Sequence, residues 1–184
     1  MVPDRENIRF NTLRNALYHT ARRRRFERWS RIFSFLVVIL GAAAIGDLLS
    51  GLGIDQKWIG AVVALVGALQ LVFDFAGQAR MHQALQRDYY HLLADIEAKT
   101  DPTEVHCAEW YSKMIRITAD EPPFLRAVDA KAYNDAASAT EVPPGERLHI
   151  PFLHRIFANV FSFEGHDYKK LCELPGWEKP KVVR

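Results

Sequence analysis

The sequence contains few of the residue patterns that identify enzymes or metal proteins. Its two cysteines, Cys107 and Cys172, have no CxxC or Cys/His spacing, so neither a disulfide framework nor a zinc site is indicated. No P-loop, GxSxG, HExxH or glycine-rich nucleotide loop is present. His82 and His91 would lie on opposite sides of one helix, and the other histidines are scattered singly. We therefore predict no enzymatic activity, catalytic residue, metal site or cofactor.

An excess of charge of one sign is also lacking, because the net charge is only +2 in 184 residues. Nucleic acid is therefore not a predicted partner. The length allows one domain, or one domain with an appendage. The apolar residues are unevenly distributed: they are concentrated between Ile32 and Ala76, with charged residues on both sides. That distribution is typical of a membrane protein.

Two apolar runs, residues 32–54 and 58–77, are each long enough to cross a bilayer as a helix, since about 20 residues span a core of ~30 Å. Only residues 55–57 separate them, so the two helices would form an antiparallel transmembrane hairpin. A cleaved signal peptide is the alternative for the first run. The mostly polar residues 1–31 before it and the second run directly after it favour retention.

Basic residues near the two runs predict the orientation of the hairpin. The connecting loop contains only Lys57, whereas arginines are abundant on the other side of the runs: Arg22, Arg23, Arg24, Arg25, Arg28, Arg31, Arg80 and Arg87. The positive-inside rule therefore places both termini in the cytoplasm. We predict a multi-pass membrane protein whose arginines contact anionic lipid headgroups.

The segments next to the hairpin are predicted to be helical. Asp4 can cap an N-terminal helix that continues into the first run. The apolar stripe of this helix would consist of Phe10, Leu13, Leu17 and Ala21. The second run is predicted to continue as one helix to Lys99, about 63 Å from Trp58 at 1.5 Å per residue. Its cytoplasmic stripe would be Met81, Leu85, Tyr89, Leu92 and Ile96.

Further helices are predicted after Lys99. Asp101 as N-cap and Pro102 at the first position would start a helix that ends near Thr118. Its buried side would contain Cys107, Tyr111, Met114 and Ile115. A short helix is predicted for residues 124–137 and a linker for residues 138–145.

The last predicted helix, residues 152–161, follows Pro151 and is strongly amphipathic. It would lie on the inner membrane surface or pack on the stalk or a neighbouring subunit. The chain thus divides into a basic helix (1–31), the hairpin (32–77), a cytoplasmic helical stalk (78–137) and a linker with an amphipathic tail (138–184). The predicted fold class is an all-α membrane protein. It would consist of a two-span transmembrane helical hairpin with long cytoplasmic helical extensions, and it would assemble as a homo-oligomer.

Small and polar residues inside the runs are the candidate functional residues. Ionisable groups are costly within a membrane and usually face protein or water. The candidates for pore lining or for an oligomer interface are Asp47, Ser50, Gly60, Gly67, Gln70 and Asp74. Two helices cannot enclose a water path, so a pore would require several copies. Alternatively, each aspartate reaches headgroup water or an arginine, and the glycines only hold the hairpin together.

The arginines before the first run allow three interpretations. They could act only in topogenesis, bind anionic lipid, or form a cationic mouth of the pore. Arg24, Arg28 and Arg31 share a helix face, as a mouth would require. The candidate residues for the mouth or for headgroup contact are Arg24, Arg25, Arg28 and Arg31.

The layout of residues 8–137 resembles the SLATT family of two-span proteins from prokaryotic conflict systems. The resemblance lies in ARRRRFERWSR before the first span, the short loop between spans, and RMHQALQRDYYHLLADIE after the second. The later DEPPFLRAVDAKAYNDA is similar to an extension of some members. The resemblance implies a membrane effector that forms pores or disrupts membranes during infection, in concert with a cytoplasmic sensor or signalling partner. It implies no catalytic residues.

The leading hypothesis is therefore an oligomeric inner-membrane effector that permeabilises the membrane, in antiviral defence or cell suicide. The alternative is a non-conducting membrane anchor or scaffold that recruits a cytoplasmic partner.

Overall fold

The computed structural model describes residues 2–45 and 56–177. The fold is all-α, as predicted, and the described residues include no strand. Six helices are present: α1 Arg5–Ile45, α2 Gln56–Phe73, α3 Phe75–Ala98, α4 Glu104–Ala119, α5 Arg126–Ala139 and α6 Phe152–Phe157. Short 3-10 turns occupy Pro144–Glu146 and Leu171–Glu173. Asp47, Ser50 and Asp55 lie outside the described residues, whereas Gln56 and Lys57 of the predicted interspan loop are the first residues of α2.

The chain divides into two compact units. The first, called the core unit here, consists of Met1–Ala21 and Gln83–Arg184. The second, called the apolar unit, is Arg22–His82. Helices α1 and α3 each contribute residues to both units.

The apolar unit exposes large hydrophobic side chains along both of its helices. Phe35 and Val38 on α1 are 63% and 66% exposed, and Leu71 on α2 is 83% exposed. Among the described residues, one helical stretch, Lys57–Ala98, has the length and composition to cross a membrane. Only 6% of its apolar window is buried. The core helix of a soluble protein would be mostly buried, so this exposure favours a membrane-inserted helix over a soluble core helix.

The core unit is built around two hydrophobic clusters. One joins α1, α3 and α4 through Ile8, Leu92, Ile96, Cys107 and Trp110. The other joins α1, α5 and the segment after α6 through Tyr18, Ala127, Val128, Ala132 and Ala158. Both clusters combine residues from distant parts of the chain, and the first turns of α1 contribute to each.

The predicted stripe on α3 is confirmed for Leu85, Tyr89, Leu92 and Ile96, which are all at most 5% exposed, whereas Met81 is half-buried. The stripe predicted for α1 is confirmed only in part: Phe10, Leu13, Leu17 and Ala21 are half-buried, and Leu17 and Ala21 pack against the second cluster. The fully buried face consists of Ile8, Thr12, Ala16 and His19. Small and polar residues occupy it because they have partners there; the Thr12 hydroxyl, for example, lies 3.8 Å from Met114 Sδ.

Several predicted boundaries need correction. Helix α4 begins at Glu104 with Thr103 as N-cap, not at Asp101, because Nδ1 of His106 accepts a hydrogen bond from the Thr103 N–H at 3.1 Å and closes a capping box. Ile115 is 51% exposed, and Trp110 is buried instead. Helix α5 begins at Arg126, two residues later than predicted.

The amphipathic helix of the tail is also shorter than predicted. Helix α6 comprises six residues, Phe152–Phe157, and continues as turns. The linker prediction is partly wrong, since Ser138 and Ala139 belong to α5.

Candidate functional site

The candidate residues on α2 lie on a helix face that is only partly covered. Gly60 is exposed and Gly67 is half-buried. A Cβ atom added to either glycine would have no described atom within 4 Å. The described part of α1 therefore does not pack closely against these two glycines. An open cavity of about 610 Å³ lies on the same face, lined by Gly67, Gln70, Leu71, Asp74 and Ala76.

Gln70 connects α2 to α1 within the apolar unit. Its Nε2 donates a hydrogen bond to the Ser34 hydroxyl at 3.1 Å. The rings of Phe33 and Phe75 also contact each other, with centroids 5.0 Å apart. Thus α1 and the α2–α3 segment are neighbours at these positions. The Gln70 amide has its hydrogen-bond partner within the same protomer and does not need a second copy of the chain.

Asp74 interrupts the long helix that was predicted to run unbroken to Lys99. Its φ of 39° is in the left-handed region, which Asp and Asn tolerate better than most residues. Its Oδ1 accepts a hydrogen bond from the Gly77 N–H at 2.9 Å, so Asp74 is the N-cap of α3. A Cβ on Gly77 would overlap the Asp74 carboxylate. The preference of Asp for the N-cap position is the sequence signal that could have located this cap.

Removing the Asp74 carboxylate is expected to loosen the start of α3. In Asp74→Ala the loss of an N-cap costs about 0.5–2 kcal/mol. The Gly77 amide should exchange with deuterium about 2- to 30-fold faster in detergent micelles. Asp74→Asn is the matched control, because it keeps both an acceptor oxygen and a residue that tolerates positive φ. Equal exchange rates in the Ala and Asn variants would refute the capping role.

Arginines and aromatic rings are interleaved along α1 before the first apolar run. The guanidinium of Arg22 lies 4.6 Å from the Phe26 ring, and that of Arg25 lies 5.2 Å from the Trp29 ring. The His82 ring is 1% exposed and stacks on Phe26 at 5.5 Å. The guanidinium groups of Arg22 and Arg25 thus pack against aromatic rings of the same helix as cation–π pairs.

The four arginines predicted for a mouth or for headgroup contact differ in their surroundings. Arg24 and Arg28 are exposed. Arg31 has an 83% exposed side chain and lies 4.0 Å from Glu27. Arg25 is half-buried over Trp29. Arg24, Arg28 and Arg31 are therefore accessible to an anionic surface, whereas Arg25 packs along the helix.

A buried polar cluster in the core unit was missed by sequence reasoning. His19 Nε2 lies 3.1 Å from Glu121 Oε1, and the His19 ring stacks on Tyr89 at 5.7 Å. The Tyr89 hydroxyl hydrogen-bonds Glu121 and also lies 2.9 Å from the Thr118 hydroxyl. Burial and the Glu121 carboxylate raise the pKa of Tyr89. No local pattern marked this cluster, since His19 and Glu121 are 102 positions apart.

A second aromatic cluster surrounds His154 after α6. The His154 ring stacks on Phe163 at 3.9 Å and lies 4.4 Å from the His166 ring. Its Nδ1 is 2.8 Å from the Tyr168 hydroxyl, so neutral His154 can accept a hydrogen bond there. Desolvation and the neighbouring His166 lower the pKa of His154. The arrangement therefore favours neutral imidazole.

Acidification is expected to weaken the packing around His154. Because the folded-state pKa is lower than the ordinary value of about 6.5, the unfolded state takes up the proton first. The stabilisation is present above about pH 6.5 and is lost as the pH falls through the folded-state pKa. The Arg126 amide, bonded to Ser162 O at 3.2 Å, should exchange faster on acidification after correction for intrinsic rates.

His154→Gln should abolish this pH dependence, since glutamine does not titrate. The Thr140 amide, bonded to Ala136 O at 2.9 Å within the end of α5, is the internal control. Unchanged Arg126 protection at acidic pH in the wild-type chain would contradict the prediction.

The described residues contain no group of three or more His, Cys, Asp or Glu side chains placed to hold a metal ion. Comparisons with family models, with curated proteins and with solved structures found no match for this chain. The assignment of a function therefore depends on the chain's own residues.

Proposed function

We propose that this chain is a two-span protein of the bacterial inner membrane that assembles into a homo-oligomer and permeabilises the bilayer, in antiviral defence or cell suicide. This is the function that the resemblance to the SLATT family implies. The observation that carries the proposal is the face of α2 at Gly60 and Gly67, which no other described part of the chain covers.

The exposed side chains of the apolar unit support insertion in a membrane. Leu65, Leu71 and Val72 on α2 are 60%, 83% and 78% exposed. Exposing such a continuous apolar surface to water would be costly, whereas lipid tails solvate it. The exposed apolar residues Phe35 and Val38 on α1 support a further span in the first apolar run.

Small residues are the usual contact surface between membrane helices, because they let the backbones approach closely. Gly60 and Gly67 are seven residues apart and lie on one face of α2. A second copy of the chain can occupy that face. A ring of copies would also bring the adjacent Gln70 and Asp74 toward a shared axis, which is how a two-span protein could enclose a water path.

The exposed arginines of α1 support a role at the cytoplasmic boundary. Arg24 and Arg28 would contact anionic headgroups in a single copy and would surround the pore mouth in an assembly. Both roles agree with the interleaved aromatic residues, since Trp is enriched at membrane interfaces.

Two hydrogen bonds favour the alternative, a non-conducting anchor that recruits a cytoplasmic partner. Asp74 accepts a bond from the Gly77 N–H, and Gln70 donates one to Ser34. Both polar side chains thus have partners within one protomer and do not need a water-filled pore. The well-packed core unit would then be the docking module.

Reconstitution distinguishes the two functions. The purified full-length chain is inserted into vesicles of phosphatidylethanolamine and phosphatidylglycerol, and release of a trapped dye is measured together with the particle mass. The same chain is expressed in bacteria while membrane potential is followed. The pore proposal expects an oligomer, dye release and depolarisation. A monomeric, non-leaking chain that leaves the potential intact would exclude a pore.

A further inference from the structure

Residues 152–161, called the tail patch here, expose a continuous apolar surface on the core unit. The exposed fractions of its large apolar side chains are Phe152 72%, Leu153 63%, Ile156 54%, Phe157 42%, Val160 65% and Phe161 55%. Such a concentration of exposed apolar side chains on a folded unit marks an interaction surface, because isolated exposed residues are common but contiguous ones are not.

The tail patch is held in a defined orientation by the residues beneath it. Ala158 is 8% exposed and packs with Tyr18 and Ala127 in the second hydrophobic cluster. The carbonyl of Ser162 accepts a hydrogen bond from the Arg126 N–H at 3.2 Å. The apolar side chains therefore face outward on a packed support.

The charge around the tail patch identifies the kind of partner that it fits. Residues 147–163 contain two arginines and two histidines but no aspartate or glutamate. Arg155, within the patch, is exposed. An anionic bilayer fits this surface, because its interfacial layer accepts apolar side chains such as Phe, Leu and Ile and attracts an exposed cation such as Arg155.

A second copy of the chain is a poorer partner for the tail patch. A second copy of the chain would present the same basic side chains to the patch and no acidic residue from positions 147–163 to pair with Arg155. A membrane is also available as a partner, because the same chain contains a candidate membrane-spanning helix in Lys57–Ala98. Tethering makes the second contact intramolecular and raises its effective concentration.

We propose that the tail patch docks into the headgroup layer of an anionic bilayer and holds the core unit against the membrane surface. This goes beyond the proposed function: it requires that the chain resides in a membrane, but neither a pore nor an oligomer.

Site-directed spin labelling of the full-length chain tests the docking. In a Cys172→Ser background, where Cys107 is only 8% exposed, a nitroxide is attached through Leu153→Cys or, as control, through Ser138→Cys on the exposed polar surface of α5. Each chain is placed in nanodiscs of phosphatidylcholine alone or with an equal part of phosphatidylglycerol. The accessibility of the label to oxygen, relative to a water-soluble nickel chelate, reports contact with the bilayer.

The docked state predicts a higher oxygen-to-nickel ratio at position 153 than at 138, with a larger difference in anionic discs. Arg155→Gln should lower the ratio of docked to undocked chains about fivefold, since one basic side chain near an anionic surface is lost. Two results would overturn the proposal: equal accessibility at both positions, or spin–spin broadening between copies that does not depend on lipid charge. Neither readout involves dye release, so this test remains informative even if the chain forms no pore.

Discussion

Replacing Tyr89 with alanine is expected to destabilise the core unit by about 3–5 kcal/mol, the usual cost of removing a buried aromatic side chain. Tyr89 is 0% exposed and stacks on His19. Its hydroxyl bonds Glu121 and lies 2.9 Å from the Thr118 hydroxyl. The substitution would therefore leave a cavity and also remove a hydrogen-bond partner from the half-buried Glu121 carboxylate.

The native thiol of Cys107 provides the measurement. It is 8% exposed and belongs to the cluster formed by Ile8, Leu92, Ile96 and Trp110. In a Cys172→Ser background, the rate at which a thiol reagent labels Cys107 reports how often the core unit opens. Tyr89→Ala should raise this rate more than about a hundredfold, since each 1.36 kcal/mol corresponds to a factor of ten.

Two further variants separate the contributions of the hydroxyl and of folding. Tyr89→Phe keeps the ring and removes only the hydroxyl, so the expected cost is about 1–3 kcal/mol. Tyr90→Ala is the control, because this neighbouring tyrosine is 38% exposed and should change the labelling rate little. Similar rates for Tyr89→Phe and the wild-type chain would show that the hydroxyl bonds contribute nothing to stability.

The double substitution Gly60→Leu with Gly67→Leu is expected to dissociate the proposed homo-oligomer. Both positions have open space in the protomer, so the variant should still fold. In an assembly that packs on this face, overfilling costs about 1–3 kcal/mol per site, so two sites weaken association about thirtyfold or more. The particle mass should fall to that of one chain, and dye release should be lost with it.

A matched control adds bulk on the opposite side of α2. Val62 is 44% and Leu69 is 36% exposed, so Val62→Leu with Leu69→Phe should change only the lipid-facing surface. This control should keep the mass and the leak of the wild-type chain. If the glycine variant retained its oligomer, the Gly60–Gly67 face would not be the interface.

How far the sequence determines this fold differs between elements. The stripe on α3 could be read correctly because Leu85, Leu92 and Ile96 are hydrophobic and recur with the helical period. The buried face of α1 could not, because it contains Thr12 and His19, which a hydrophobic pattern assigns to solvent. Their partners are Met114 and Glu121, each 102 positions away. The same limitation applies to the candidate site. The sequence indicates that Asp74 is a charge within the membrane, and only the structure shows that its carboxylate accepts a hydrogen bond from the Gly77 N–H.

Local composition and periodicity were enough to locate the helices approximately and to find the concentration of apolar residues. The contacts of the polar residues became apparent only from the structure: Asp74 caps α3, Gln70 hydrogen-bonds Ser34, and His19 pairs with Glu121 in the core unit. The physical reason is that a buried or membrane-facing polar group is tolerated only with a partner, and that partner can lie anywhere along the chain.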